Sequence, residues 1–140
     1  MSGIQIVAYE PAHQSHIRAI RDAVFMQEQG VSPELEFDGL DPSAMHVLAV
    51  VDGEYVGTGR MLDDGHIGRI AILRNYRGLG LGAKVVQALV NEATHLGYPR
   101  VYLGAQTHAV DFYAKLGFTP YGDEFMDAGI PHLSMEQSLT

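Results

Sequence analysis

The stretch Arg69-Ile70-Ala71-Ile72-Leu73-Arg74-Asn75-Tyr76-Arg77-Gly78-Leu79-Gly80-Leu81-Gly82 passes from an apolar, strand-like run into a glycine-rich loop. The most regular helical pattern of the chain follows it: Leu81, Val85, Val86, Leu89, Val90, Ala93 and Leu96 form one apolar stripe. Gly97 stands where a helix-ending glycine belongs, and Pro99 comes two residues later. A strand, a glycine loop and a helix in that order present backbone N–H groups beside the positive end of a helix dipole. Glycines let an anion approach where a β-carbon would block it. The plainer reading of the same residues is a flexible glycine turn that holds nothing.

Working outward, residues 4–9 read as a first strand ended by Pro11, and Ile17, Ile20, Val24 and Phe25 recur at helical spacing until Gly30 and Pro33. Residues 32–43, with Glu34, Glu36, Asp38 and Asp41, read as a solvated acidic loop with room for one helical turn. Residues 45–51 and 54–62 flank Asp52-Gly53, a strong hairpin signal. Asp63-Asp64-Gly65 then turns the chain into a third antiparallel strand at 66–73. After the long helix, 100–105 is a strand. Thr107 is placed to cap a helix over 108–116, which Gly117 ends. Two strands, 118–126 and 132–138, complete the order β-α-β-β-β-α-β-α-β-β. This is an α/β domain of the mixed-sheet, α+β kind, and its crossover predicts a parallel pair between 66–73 and 100–105.

A chain of 140 residues, 46 % of them hydrophobic, can build one core and leaves little room for a second domain, so 1–140 is read as one unit. The absence of cysteine excludes disulfides, zinc–thiolate sites and a cysteine nucleophile. The net charge of −8 argues against a non-specific nucleic-acid binder. That charge is unevenly spread: residues 1–66 carry −8, residues 67–122 carry +4 and residues 123–140 carry −4. The basic stretch contains the glycine loop, which is where an anionic ligand is expected. No leader or membrane-spanning run is visible, so a cytoplasmic protein is the default. No His-x-x-x-His pair appears, and a metal is not expected.

Among phosphate loops, the Walker pattern fails because no Lys-Ser or Lys-Thr follows the glycines. The dinucleotide pattern is met at Gly78, Gly80 and Ala83, but the next strand lacks the acid that would hold a ribose. The third pattern, Arg77-x-x-Gly80-x-Gly82 at a strand–helix junction, resembles the coenzyme A pyrophosphate loop of the GNAT acetyltransferase superfamily. The stretch from Gln106 to Phe118, with Phe112-Tyr113-Ala114-Lys115-Leu116-Gly117-Phe118 within it, is similar to that family's A-x-x-F-Y-x-K-x-G-F element. Phe25-x-x-Glu28-Gln29 and Gly129-Ile130-Pro131-His132 resemble its small bacterial YjcF/ElaA-like subgroup. Two positions depart from the family: Arg74 stands where proline is frequent, and Gln106 replaces asparagine.

The resemblance implies the GNAT acyl-CoA N-acyltransferase fold and transfer of acetyl from acetyl-CoA to a primary amine of a small molecule or peptide, by direct attack. The alternative is a non-catalytic acyl-CoA-binding or regulatory module. It implies that Arg77, Gly78, Leu79, Gly80, Leu81 and Gly82 hold the pyrophosphate. Ile70, Ala71 and Ile72 would pair with the pantetheine arm, with a backbone N–H (at Ile72) for the oxyanion, and Gln106 would contact pantetheine. Tyr113 is the implied general acid, against the plainer reading of a tyrosine packed beside Phe112. Glu28, His46, His66 and His132 remain open as the base. Neither a metal nor nucleic acid nor a membrane is implied, and a homodimer is common in the family. The acidic flank offers a surface for a cationic acceptor.

Overall fold

A computed structural model of the protein describes residues 2–140. The chain opens with β1 (Ser2–Val7), and Pro11 occupies the first position of α1 (Pro11–Arg21), where its missing N–H costs nothing. The helix runs on as wider π-type turns over Asp22–Glu28, closed by the Gln29 N–H on the Val24 carbonyl at 3.2 Å. A single turn, α2 (Pro33–Glu36), follows. Next come β2 (Met45–Val51) and β3 (Glu54–Met61), joined by Asp52 and Gly53 at φ 49° and 83°, the left-handed pair that a tight hairpin needs. β4 (Ile67–Ile72) leads through the glycine loop into α3 (Leu81–His95), whose Gly97 has φ 82°. The remaining elements are β5 (Arg100–Gln106), α4 (Val110–Lys115), β6 (Thr119–Asp127) and β7 (Ile130–Ser138). A 3₁₀ turn at Thr107–Ala109 begins the last helix, and the Thr107 side chain makes no cap bond there. Among the described residues no helix is long and apolar enough to cross a membrane.

The predicted parallel pair is corrected by the topology. The strands form two antiparallel sheets, β1-β2-β3-β4 and β5-β7-β6. Between β4 and β5 the described residues make one parallel bridge, His66 to Tyr102, with the Tyr102 N–H on the Gly65 carbonyl at 3.0 Å. Beyond that vertex the strands part, and β5 keeps a full ladder only on its other edge, with β7, from Arg100↔Ser138 to Gln106↔His132. A bulge in β4 adds to the divergence. Gly59 of β3 faces two residues of β4, Arg69 and Ile70, in place of one, and Arg69 has φ 53°. A bulged strand bends away from its neighbours. Holding a non-glycine residue there costs about 1–3 kcal/mol, which the surroundings must offset.

The first sheet is covered on both faces. On one, α3 buries Val85, Val86, Leu89 and Val90 against Val47, Ala49 and Met61, and the same cluster takes in Val101, Leu103 and Met135 of the second sheet. On the other, Ile17, Ile20 and Val24 pack on Leu48 and Ala71. Two glycines of β3 make this packing possible. A β-carbon on Gly59 would lie 2.6 Å from Val85 Cγ1, and one on Gly57 2.6 Å from Ile72 Cδ1.

Candidate active site

Where β4 and β5 part, a cleft of about 530 Å³ opens. One wall is the free edge of β4. The Leu73 N–H donates to Val56 of β3 at 2.8 Å, so strand alternation directs the N–H groups of Ile72 and Ile70 the other way, toward the cleft, while Ala71 faces β3. Ile67 through Ile70 line the cleft on this side, and Leu103, Gly104 and Gln106 line it from β5. Open backbone donors along a concave wall suit an extended ligand laid along the strand.

The glycine loop lies at one end of this edge. Gly80 precedes α3 at φ 80° with no side-chain cap, and the first turn carries no acidic residue. The Lys84 N–H is the one that reaches the Gly80 carbonyl, at 3.2 Å. The N–H groups of Leu81, Gly82 and Ala83 therefore have no carbonyl one turn back to bond, as at any helix start. Nothing lies within 4 Å of where a β-carbon would stand on Gly78 or Gly80, so the cradle is open. Together these features fit an anion such as a pyrophosphate.

Arg77 is placed differently from a free phosphate ligand. Its Nε donates to the Ile72 carbonyl at 2.9 Å, and Nη1 and Nη2 reach Glu28 Oε1 and Oε2 at 3.0 and 2.6 Å. Arg74 lies on the same carboxylate at 3.3 Å. The Arg77 bonds, with the charge of Arg74, hold Glu28 below the usual carboxylate range. Glu28 thus serves the loop, beside a second hollow of about 380 Å³ against Ile70–Ile72, and makes a poor base.

The remaining base candidates separate by position. His46 is fully buried outside the cleft, stacked on Tyr9, and its Nε2 donates to the Asp41 carbonyl at 2.9 Å; burial lowers its pKa. It holds the 38–41 loop in place. His66 lines the cleft at the vertex, stacked 4.7 Å from Tyr102, and burial also lowers its pKa. His132 lines the cleft from β7 opposite Gln106 and is 8 % exposed. Its Nδ1 lies 2.6 Å from the Ile130 carbonyl. A carbonyl only accepts, so Nδ1 carries a hydrogen, and Nε2 is the nitrogen left to face the cleft's ligand.

Tyr113, on α4, reaches the same cleft, packed edge-to-face against Phe112 and Phe118 at 5.0 and 6.0 Å between ring centres. Burial pushes its phenol up to about 12, so it stays protonated at neutral pH. Tyr113 is thus packed beside Phe112 and also borders the cleft. Gln106 Nε2 meets Gln29 Oε1 at 3.4 Å and ties β5 to the end of the first helix.

The acidic stretch is only partly solvated: Glu34 and Asp38 are exposed, while its other two acids are buried. Glu36 and Asp41 are 2 % and 4 % exposed, and three arginines distant in sequence meet them. Arg21 Nη1 donates to Asp41 Oδ1 at 2.7 Å and Arg60 forks onto Asp38 at 2.9 and 3.0 Å. Arg69 Nε sits 2.6 Å from Glu36 Oε1. Sequence reasoning passed over all three arginines, because the acids and bases that pair here are far apart along the chain. The available signal was the presence of Arg21, Arg60 and Arg69 on or beside elements predicted to be core-facing. Among the described residues no group of three or more His, Asp or Glu could hold a metal ion.

The acetyltransferase (GNAT) domain family matches residues 12–139. The chain is similar to the uncharacterized N-acetyltransferase YjcF of Bacillus subtilis, 42 % identical over 121 residues that span 83 % of this chain and 86 % of that one. It is similar also to Escherichia coli ElaA, 32 % identical over 128 residues, 86 % and 84 % of the two chains. The crystal structure of ElaA superposes with a TM-score of 0.88 over 99 % of this chain and all of that one, at 29 % identity. An acyl-CoA N-acyltransferase from Pseudomonas aeruginosa superposes with a TM-score of 0.87 at 27 % identity over 99 % of this chain and 100 % of that one.

Proposed function

The chain belongs to the GNAT acetyltransferase family, and from that premise we propose that it moves the acetyl group of acetyl-CoA onto a primary amine by direct attack. The observation that carries the reading is the cleft itself: the free edge of β4, Tyr113 and His132 face one space between the two sheets. The N–H groups at the start of α3 and the loop from Arg77 to Gly82 take the pyrophosphate, as helix N-termini take phosphates elsewhere. The edge of β4 from Ile70 to Ile72, with Gln106 across the cleft, holds the pantetheine arm.

In the transfer, the amine nitrogen bonds to the thioester carbonyl carbon and its surplus proton passes to His132 Nε2. Negative charge gathers on the carbonyl oxygen, where a fixed backbone N–H is worth most; the bulge favours that of Ile70, with Ile72 next along the strand. The carbon–sulfur bond breaks, and Tyr113 gives its phenolic proton to the leaving thiolate. Burial keeps the phenol protonated at neutral pH, so its proton is in place when the thiolate leaves. The products are an amide and a free thiol.

The test is thiol release from acetyl-CoA across a panel of primary amines, with Tyr113→Phe as control. Release that depends on the amine and falls in the variant supports the reading. Acetyl-CoA that raises the melting temperature with no release from any amine would favour the acyl-CoA-binding module instead.

A further inference from the structure

Arg69 is the bulge residue of β4. Among the described non-glycine residues with positive φ it is the one inside a strand, since Asp52 and Ala128 sit in turns. A left-handed residue in mid-strand persists only where its surroundings over-determine it. Here the determinants lie at the far end of the side chain. The guanidinium donates to the Leu35 and Glu36 carbonyls at 3.2 and 3.1 Å and to Asp38 Oδ2 at 3.3 Å, and Nε pairs with Glu36 Oε1 at 2.6 Å. Those partners are themselves held. Arg21, fully buried, donates to the Glu36 carbonyl at 2.9 Å, and Arg60 grips Asp38 and Asp41. Three arginines and three carboxylates balance in charge and join α1, α2, β3 and β4.

The consequence falls on the next residue. Ile70 directs its N–H toward the cleft, and its side chain packs over Gly59, where a β-carbon would come within 2.8 Å of Ile70 Cδ1. Alternation turns that N–H away from β3, the adjoining bulge bends the strand where it leaves, and the bulge is tied through the Arg69 side chain. Leu35 and Glu36 also line the cleft, so the same tie fixes the facing wall.

We infer that Arg69 is a positioning residue: anchored on Glu36 and Asp38, it fixes the bulge so that the Ile70 N–H meets the thioester carbonyl of the acyl donor. The inference rests on the proposal that acetyl-CoA lies along β4, and it assigns the buried ion-pair frame to catalysis as well as to stability. A merely structural frame would lower the melting temperature without altering the bound carbonyl.

The experiment is difference infrared spectroscopy of acetyl-CoA labelled with ¹³C at the thioester carbonyl, bound to the whole chain, with binding measured by calorimetry. A hydrogen bond to the carbonyl lowers its stretching frequency. In the wild-type complex the band should lie below that of free acetyl-CoA. Arg69→Gly accepts positive φ without strain but has no tether. It should return the band to the free position while binding stays within about threefold. A band that stays shifted in Arg69→Gly overturns the inference alone. Wild-type binding with an unshifted band overturns the backbone-donor step together with the inference, and no wild-type binding overturns the acetyl-CoA reading that supports both. Glu36→Gln keeps the shape and breaks the ion pair, and should move the band part of the way. If Arg69→Gly does not fold, that variant decides alone, and an unmoved band in it counts against the inference.

Discussion

Glu28 and Arg77 form a two-pronged ion pair, 3.0 and 2.6 Å, at the mouth of the glycine loop. With Nε on the Ile72 carbonyl, the guanidinium edges are occupied by the protein's own acceptors. An incoming pyrophosphate therefore competes with an internal carboxylate. Glu28→Gln should tighten coenzyme A binding by about two- to fivefold, a modest gain because exposed pairs are weak. Binding of pantetheine, which has no phosphate, should not change. Calorimetry with the two ligands checks this, and equal effects on both would show that the carboxylate does not compete with phosphate.

Tyr113→Phe should lower turnover by about 10²-fold with coenzyme A affinity unchanged. Because burial sets the phenol at about 12, Tyr113 should not itself cause a fall in rate anywhere between neutral pH and the strongly alkaline range. Initial rates of thiol release against pH, with the best amine from the panel, report both. A Phe variant with wild-type turnover would remove the tyrosine from the mechanism.

Acid should loosen the ion-pair frame. The Arg60 fork holds Asp38 far below its ordinary value of 3.8; burial raises Asp41, but Arg21 and Arg60 outweigh it and leave the carboxyl lowered. Groups depressed in the folded state leave the unfolded chain binding more protons, so their stabilisation is full above the unfolded value and lost as pH falls through the folded ones. Glu36, raised by burial against the pull of Arg69 and Arg21, acts in the opposite sense and blunts the effect. The melting temperature should decline below about pH 4. Asp38→Asn should start lower at pH 7 and lose less between pH 5 and 3. An identical acid slope in the variant would contradict this account.

Gly59→Ala tests the close approach of α3 to β3. The new methyl would stand 2.6 Å from Val85 Cγ1 and 2.8 Å from Ile70 Cδ1, both ends of packed side chains. Overfilling of this kind costs about 1–3 kcal/mol, seen as a lower midpoint in thermal or urea unfolding. No change in the midpoint would mean that the two side chains swing aside freely.

Much of the molecule was legible from local signals. Asp52-Gly53 marked its hairpin, the stripe from Leu81 to Leu96 its helix, and the glycines after residue 77 the strand-to-helix turn, because each depends on neighbours close in sequence. The splay between the sheets was not legible. Alternation in 66–73 and 100–105 identifies strands but not which edge each one uses, and β5 took β7 as its partner. The bulge at Arg69 was hidden for a related reason, since no turn residue marks it and its support comes from Leu35, Glu36 and Asp38, some thirty residues away. Of the site residues, Tyr113 and the loop came from the family resemblance. The separation of His132 from His46 needed the coordinates, since only depth and hydrogen-bond partners distinguish them.

The single bridge from His66 to Tyr102 leaves the two ladders almost without direct backbone coupling. α3 packs on both: its Val85, Val86, Leu89 and Val90 share one cluster with residues of each. That helix also begins at the glycine loop. The beam that unites the halves of the fold thus ends at the loop proposed to take the pyrophosphate, so coenzyme A bound there should slow amide exchange in β2 and in β5 alike.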